Sequence, residues 1–248
     1  MRTAKFASSF YPSSKEELEI MLDSYTKSNP KNIKGLIVPH AGYIYSGNIA
    51  GAGYSLLDKV KKAVLLGPSH QIGFYGVALD NEDYWKIPLG KVKLFNVNIE
   101  NDLFKEMPMA HLYEHSLEVQ VPFLQKINNK IEIFPLVIGE INNDDAKEIA
   151  KVLLENCKDC IFIFSSDLSH FFNEEKQKKI DDKTIKIIEN LDFNKLDEID
   201  ACGKYPILIA MNMCKIKSWK IKLIEKGNSA EASKDKDNVV GYASFMIY

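Results

Sequence analysis

Arginine is almost missing from this chain: of its 32 basic residues only Arg2 is an arginine, and the rest are lysines. A guanidinium grips phosphate or carboxylate through two parallel hydrogen bonds, which an ammonium cannot do. Composition therefore disfavours a phosphopeptide reader built on an arginine cluster. Excess charge of one sign is also lacking. A net charge of -2 and a pI near 6.2 leave no electrostatic footprint for nucleic acid. Long apolar runs are absent too: Ile207–Met211 and Ile161–Phe164 fall far short of the roughly 18 residues of a membrane span. No apolar stretch follows Arg2 and Lys5, so no secretory signal is expected. Four cysteines among 248 residues do not make a disulfide framework, and a reduced, cytoplasmic protein is the expectation. With no linker, repeat or low-complexity tract, one domain is expected over residues 1–248.

What is present is an alternation of apolar runs and helical patterns, the signature of an α/β domain with a central, largely parallel or mixed sheet flanked by helices. Buried strands are expected at Gly35–Val38, Ala63–Leu66, Ile131–Ile138 and Cys160–Phe164. Helices are expected from about Gly47 to Leu57, at Asp144–Cys157, at Asn173–Leu191 with Asn173 as N-cap, and over Ile207–Cys214. Trp219–Glu225 and Val239–Tyr248 read as late strands, possible antiparallel partners.

Three of the five histidines, His40, His70 and His170, immediately follow apolar strands. Loops leaving the carboxyl ends of parallel strands converge on one crevice, so parallel strands here would bring three imidazoles together. Imidazole is the commonest metal ligand and suits proton transfer near neutral pH. Asp167, three residues before His170, reads equally as a carboxylate orienting an imidazole or as a local turn residue. His111-Leu-Tyr-Glu-His115 matches a zinc-peptidase pattern that needs a continuous helix, and Pro108 and Pro122 argue against one. Glu114-His-Ser-Leu-Glu118 nevertheless keeps His115 a candidate. Cys157 and Cys160 form a lone C-x-x-C with no second pair, and Cys214 sits on an apolar face; both read as packing. Cys202, before Gly203-Lys-Tyr-Pro206, lies ahead of a helix, where the helix N-terminus and Lys204 are expected to favour a thiolate. Tyr43, Tyr45, Phe10 and Tyr11 read as core or as pocket walls.

The segments Pro39-His-Ala-Gly-Tyr-Ile-Tyr-Ser-Gly47, Gly67-Pro-Ser-His70, Glu114-His-Ser-Leu-Glu118, Ser165-Ser-Asp-Leu-Ser-His170 and Cys202-Gly-Lys-Tyr-Pro-Ile207 resemble the Memo family. Phe6-Ala-Ser-Ser-Phe-Tyr-Pro12 and Gly241-Tyr-Ala-Ser244 fit as well, so the resemblance spans the chain. It implies a fold like that of the class III extradiol ring-cleaving dioxygenases, whose non-haem iron is held by two histidines and a carboxylate. By that resemblance His40 and His70 fall at the histidine-ligand positions and Cys202 at the carboxylate position. His115 and His170 fall at the acid/base positions, with Asp167 beside the second. Tyr45 and Phe10 match pocket aromatics that contact substrate, the latter commonly tryptophan in the family. Replacing the carboxylate by a thiolate softens the set, pointing to iron or copper with zinc possible. The resemblance implies a metal-dependent oxidoreductase. The alternatives are a non-catalytic module that takes a peptide or small ligand in the same pocket, as eukaryotic members do with phosphotyrosine peptides, and a Cys202 nucleophile with His170 or His115 as base. It also implies radical-SAM and AMMECR1-type protein partners.

Overall fold

Strands covered on both faces carry unbroken apolar runs, whereas half-exposed strands alternate. The computed structural model, which describes all residues from Met1 to Tyr248, places the unbroken runs at the centre of a twelve-stranded mixed sheet. In chain order the elements are β1 (Arg2–Thr3), α1 (Lys15–Tyr25), β2 (Gly35–Val38), α2 (Tyr43–Tyr54), β3 (Lys62–Pro68), β4 (Val77–Leu79), β5 (Tyr84–Ile87) and β6 (Gly90–Leu94). Next come β7 (Phe104–Glu106), α3 (Pro108–Leu112), α4 (His115–Glu118), α5 (Val121–Ile127), β8 (Glu132–Ile138), α6 (Asn143–Asn156) and β9 (Ile161–Ser165). The chain ends with β10 (His170–Phe172), α7 (Glu174–Glu189), α8 (Lys204–Lys217), β11 (Ile221–Asn228), α9 (Ala230–Ser233) and β12 (Val239–Ile247).

The sheet runs β1-β5-β6-β8-β3-β9-β2-β12-β10, with β11 on β12 and β4 joining β7 to β8. Its centre, β8-β3-β9-β2, is parallel, so the carboxyl ends of four strands share one edge. β12 lies antiparallel to both β2 and β11. Successive strand residues point to opposite faces. Ile37, Val64, Leu66, Phe162 and Phe164 meet Ile149, Leu153, Ile185, Ile207 and Met211 from α6, α7 and α8. Leu36, Val38, Leu65 and Ile163 meet Leu18, Leu22, Ala50, Tyr54 and Phe123 from α1, α2 and α5 on the other side. The result is three layers, helix–sheet–helix.

The expected strands appear within one or two residues, except that Trp219–Glu225 slides to Ile221–Asn228, and the two late strands are indeed antiparallel. α2 begins four residues earlier than expected, because the Gly42 carbonyl already accepts the Tyr45 and Ser46 N–H groups at 2.8 and 3.2 Å. α6 starts on a capping box, in which Asn142 accepts from Asp144 and Asp145 and the Asp145 carboxylate returns to the Asn142 N–H. Asn173 caps α7 as expected, accepting from Lys176. Sequence pattern missed α1 and the short strands β4 to β7, whose three to five residues are too brief for a periodic signal.

Candidate metal centre

His40 lies two residues past β2, His70 two past β3 and Asp167 two past β9, all on the carboxyl edge of the parallel strands. Cys202 arrives from the opposite direction, on the turn before α8. That turn lies hard against the strand ends: a Cβ on Gly203 would meet Ser165 O and Ser166 Cβ, both at 2.5 Å, and Gly203 N–H donates to Ser166 Oγ at 2.9 Å. The close approach sets the Cys202 sulfur 3.2 Å from His40 Nε2. One ligand atom each from His40, His70 and Cys202 lies within 4.8 Å of the others.

Hydrogen bonding fixes how the two imidazoles are protonated. Ser165 Oγ donates its one proton to Ser116 O at 2.6 Å and accepts from Gln120 Nε2 at 2.8 Å. His40 Nδ1, 2.9 Å from that same oxygen, must therefore be the donor. His70 Nδ1 donates to Glu114 Oε1 at 2.9 Å, and the His70 backbone N–H to Glu114 Oε2 at 2.7 Å. Both rings thus keep Nε2 as a bare lone pair, the form a metal requires. The Cys202 thiol in turn donates to His40 Nε2.

The third histidine of the cluster is His115, the first residue of α4, not His170. Ring centroids of His70 and His115 are 4.6 Å apart and stacked, and those of His40 and His115 are 5.3 Å apart. Its Nδ1 lies 3.5 Å from Glu114 Oε1. His70, Glu114 and His115 form a second grouping within 4.8 Å. The Glu114 oxygens already accept from His70 twice and from Ser116 N–H at 2.8 Å, so this carboxylate is spent on holding His70.

His170 opens β10, half-buried, and its ring contacts Phe171 rather than the other histidines. It stays close enough for its charge to bear on His40 and Asp167. Asp167 is buried and accepts the His40 backbone N–H at 2.7 Å, so it positions His40 through the main chain and bonds no imidazole. Phe10 packs on His115 at 4.7 Å and Phe6 on the same ring at 5.6 Å. Tyr45 is exposed on the first turn of α2.

Burial, then the neighbouring His70, holds His40 down to about 3. Burial and then His40 bring His115 to about 4, against a partial opposing pull from Glu114. Burial works to raise Glu114, yet the hydrogen bonds and charge of His70 and the N–H of Ser116 outweigh it and lower it to about 2. Burial raises Asp167. The thiolate expected at Cys202 is not what this environment favours. Burial and then the Asp167 carboxylate push the thiol up, and Lys204 is engaged by Asp197 at 3.7 Å.

The zinc-peptidase pattern is dismantled by the backbone. α3 ends at Leu112, α4 begins at His115, and the buried His111 ring bonds Ala78 O through Nε2 at 3.0 Å. Sequence reasoning did not assign Ser165, Gln120 or Glu118 a place here. Glu118 accepts the Lys5 and Phe6 N–H groups and the Tyr11 hydroxyl, and pairs with Arg2 at 2.6 Å, strapping the N-terminal segment and its Phe6 and Phe10 over His115. The two carboxylates of Glu114-His-Ser-Leu-Glu118 were its one visible signal.

The fold and its cluster define a class: a three-layer α/β protein with two lone-pair imidazoles and one cysteine gathered at the carboxyl edge of its parallel strands. The chain belongs to the Memo family, whose profile, described as Memo-like protein, matches residues 2–246. It is 34% identical over 266 residues to a MEMO1 family protein of Archaeoglobus fulgidus, covering all of this chain and 99% of that one. It is 33% identical to a MEMO1 family protein of Aquifex aeolicus with the same coverage. A MEMO1 family protein of Sulfurisphaera tokodaii is 37% identical over 240 residues, 88% of this chain and 84% of its own.

Proposed function

We propose that this Memo protein is a metal-dependent oxidoreductase, with His40, His70 and Cys202 as ligands for iron or copper, zinc also fitting the donor set. The observation that carries the reading is the pair of fixed tautomers: both Nδ1 atoms donate to built-in acceptors, leaving two Nε2 lone pairs beside one sulfur. Tetrahedral ligands about 2.0–2.3 Å from an ion stand within about 4 Å of one another, and the 3.2 Å from Cys202 Sγ to His40 Nε2 fits that spacing. Two imidazoles and a thiolate suit copper, iron or zinc better than magnesium or calcium.

The metal, when bound, supplies Lewis-acid and electron-transfer chemistry at its open positions. The chain supplies the rest. His115, held at about 4, is neutral near pH 7 and accepts a proton from a bound molecule. His170, close enough for its charge to bear on His40 and Asp167, serves as a second proton carrier. Phe10, packed on His115, and Tyr45, exposed on the first turn of α2, contact the substrate. Arg2 is buried against Glu118 and Trp85, so the one guanidinium of the chain is committed and a phosphopeptide-binding role loses its natural anchor.

The test is metal content after purification without chelators or affinity tags, beside Cys202→Ala and His40→Ala. Iron or copper near one per chain, lost in both variants, supports the proposal. Equal metal content in all three proteins overturns the ligand set, and a chain that refuses Fe(II), Cu(I) and Zn(II) overturns the function.

A further inference from the structure

A pair of cysteines lies at the opposite end of β9 from the candidate metal centre. Cys157 caps the C-terminus of α6, and Cys160 immediately precedes β9. Between them runs a turn closed by Cys160 N–H donating to Cys157 O at 3.3 Å. A four-residue turn of this kind holds its first and last Cα atoms within about 7 Å, and disulfides span roughly 4.4–6.8 Å between Cα atoms. The turn therefore sets the two cysteines at the backbone spacing a disulfide requires. Cys157 is buried and Cys160 half-buried, and both border two hollows of about 320 and about 600 Å³. Lys34 and Lys217 line the first, Lys62 lines the second and Lys158 lines both, against Glu155 and Asp159 in the second.

We propose that Cys157 and Cys160 are a redox-active dithiol that exchanges with small anionic disulfides and closes to an internal disulfide. The Cys160 sulfur, as thiolate, attacks one sulfur of the small disulfide, forming a mixed disulfide and expelling the first small thiolate. The Cys157 sulfur then attacks the Cys160 sulfur, closing the Cys157–Cys160 bond and expelling the second. The two protein thiols are oxidised, the small disulfide is reduced to two thiols, and the two protein protons end on them. Cys160 is the attacking group because it is the more exposed of the two, and because the neighbouring Cys157 and, against burial, Lys62 lower its pKa while that of Cys157 is raised. The five residues of β9 separate this pair from Cys202 by about 17 Å at about 3.3 Å per residue. Closure therefore leaves the metal ligands untouched.

The experiment uses the full, reduced chain in buffers of increasing oxidised-to-reduced glutathione ratio, followed by acid quenching, alkylation and peptide mass mapping. Loss of two of the four free thiols is expected, with one 157–160 peptide lighter by two hydrogen atoms and restored by dithiothreitol. Cys157→Ser should stop at a stable glutathione adduct on Cys160. Cys160→Ser, altering the less buried partner, should retain every remaining thiol and so serves even if the Cys157 variant fails to fold. Four free thiols persisting in excess oxidised glutathione, or a wild-type adduct on Cys160 that never closes, would overturn the proposal.

Discussion

Each proposed ligand histidine is held at two points, ring and main chain. His40 is held by Ser165 and Asp167, whereas His70 depends on Glu114 for both contacts. Glu114→Gln keeps the side-chain volume but removes the charge that selects the Nδ1–H tautomer. Supporting groups of this kind are worth about 10–100-fold in metal affinity, and a loss of that size is expected in competition against a chromophoric chelator. Undiminished affinity would remove His70 from the ligand set. Titration at these residues also has a definite sign. His40 and His115 sit at about 3 and about 4 in the folded chain, below the ordinary 6.5. Between pH 6.5 and 4 the unfolded chain takes up protons that the folded chain refuses, so stability falls as pH falls. Glu114, depressed from 4.5 to about 2, acts in the same direction at lower pH. Metal-free protein should therefore show a denaturant midpoint that declines steadily from pH 6.5 to 4, and His115→Phe should flatten that decline.

Among the elements, what matters is how closely the turn before α8 approaches β9. Gly203→Ala drives a methyl into Ser165 O and Ser166 Cβ, and overpacking of this kind costs about 1–3 kcal/mol. Because Cys202 rides on that turn, the variant should lose both denaturant stability and metal occupancy. The capping box of α6 gives the contrasting case. Asn142→Ala removes the one oxygen that accepts from two N–H groups, at a cost of about 1 kcal/mol, measurable by urea unfolding, with metal content unchanged. If Asn142→Ala also lost metal, the centre would depend on global stability rather than on the local contacts assigned to it.

In the whole molecule, the N-terminal segment closes the site. Arg2 reaches from β1, at the far end of the sheet order from β12, to pair with the fully buried Glu118, stack on Trp85 at 4.3 Å and bond the carbonyls of His111 and Glu114. Removing one partner of a buried pair leaves an uncompensated charge and costs about 3–5 kcal/mol. Arg2→Ala should lose stability of that order by chemical denaturation. A loss under about 1 kcal/mol would place this pair among the weakly contributing ones.

By itself the sequence determined the layered α/β class, the central strands, the cap of α7, and the candidates His40, His70, His115 and Cys202. Those features are local: apolar runs, capping residues and short motifs need no distant partner to be read. Tertiary structure alone decided that His115 rather than His170 joins the two proposed ligand histidines, since α4 reaches the strand edge only by packing on β3 and β8. It also decided that Asp167 holds a backbone, that burial keeps the Cys202 proton in place, and that the single arginine is a clamp rather than a ligand-binding group. Each of these depends on which charges and hydrogen-bond partners meet in a dry environment from distant parts of the chain, from the 35 residues between Asp167 and Cys202 to the 127 between His40 and Asp167, and one-dimensional spacing carries no record of that.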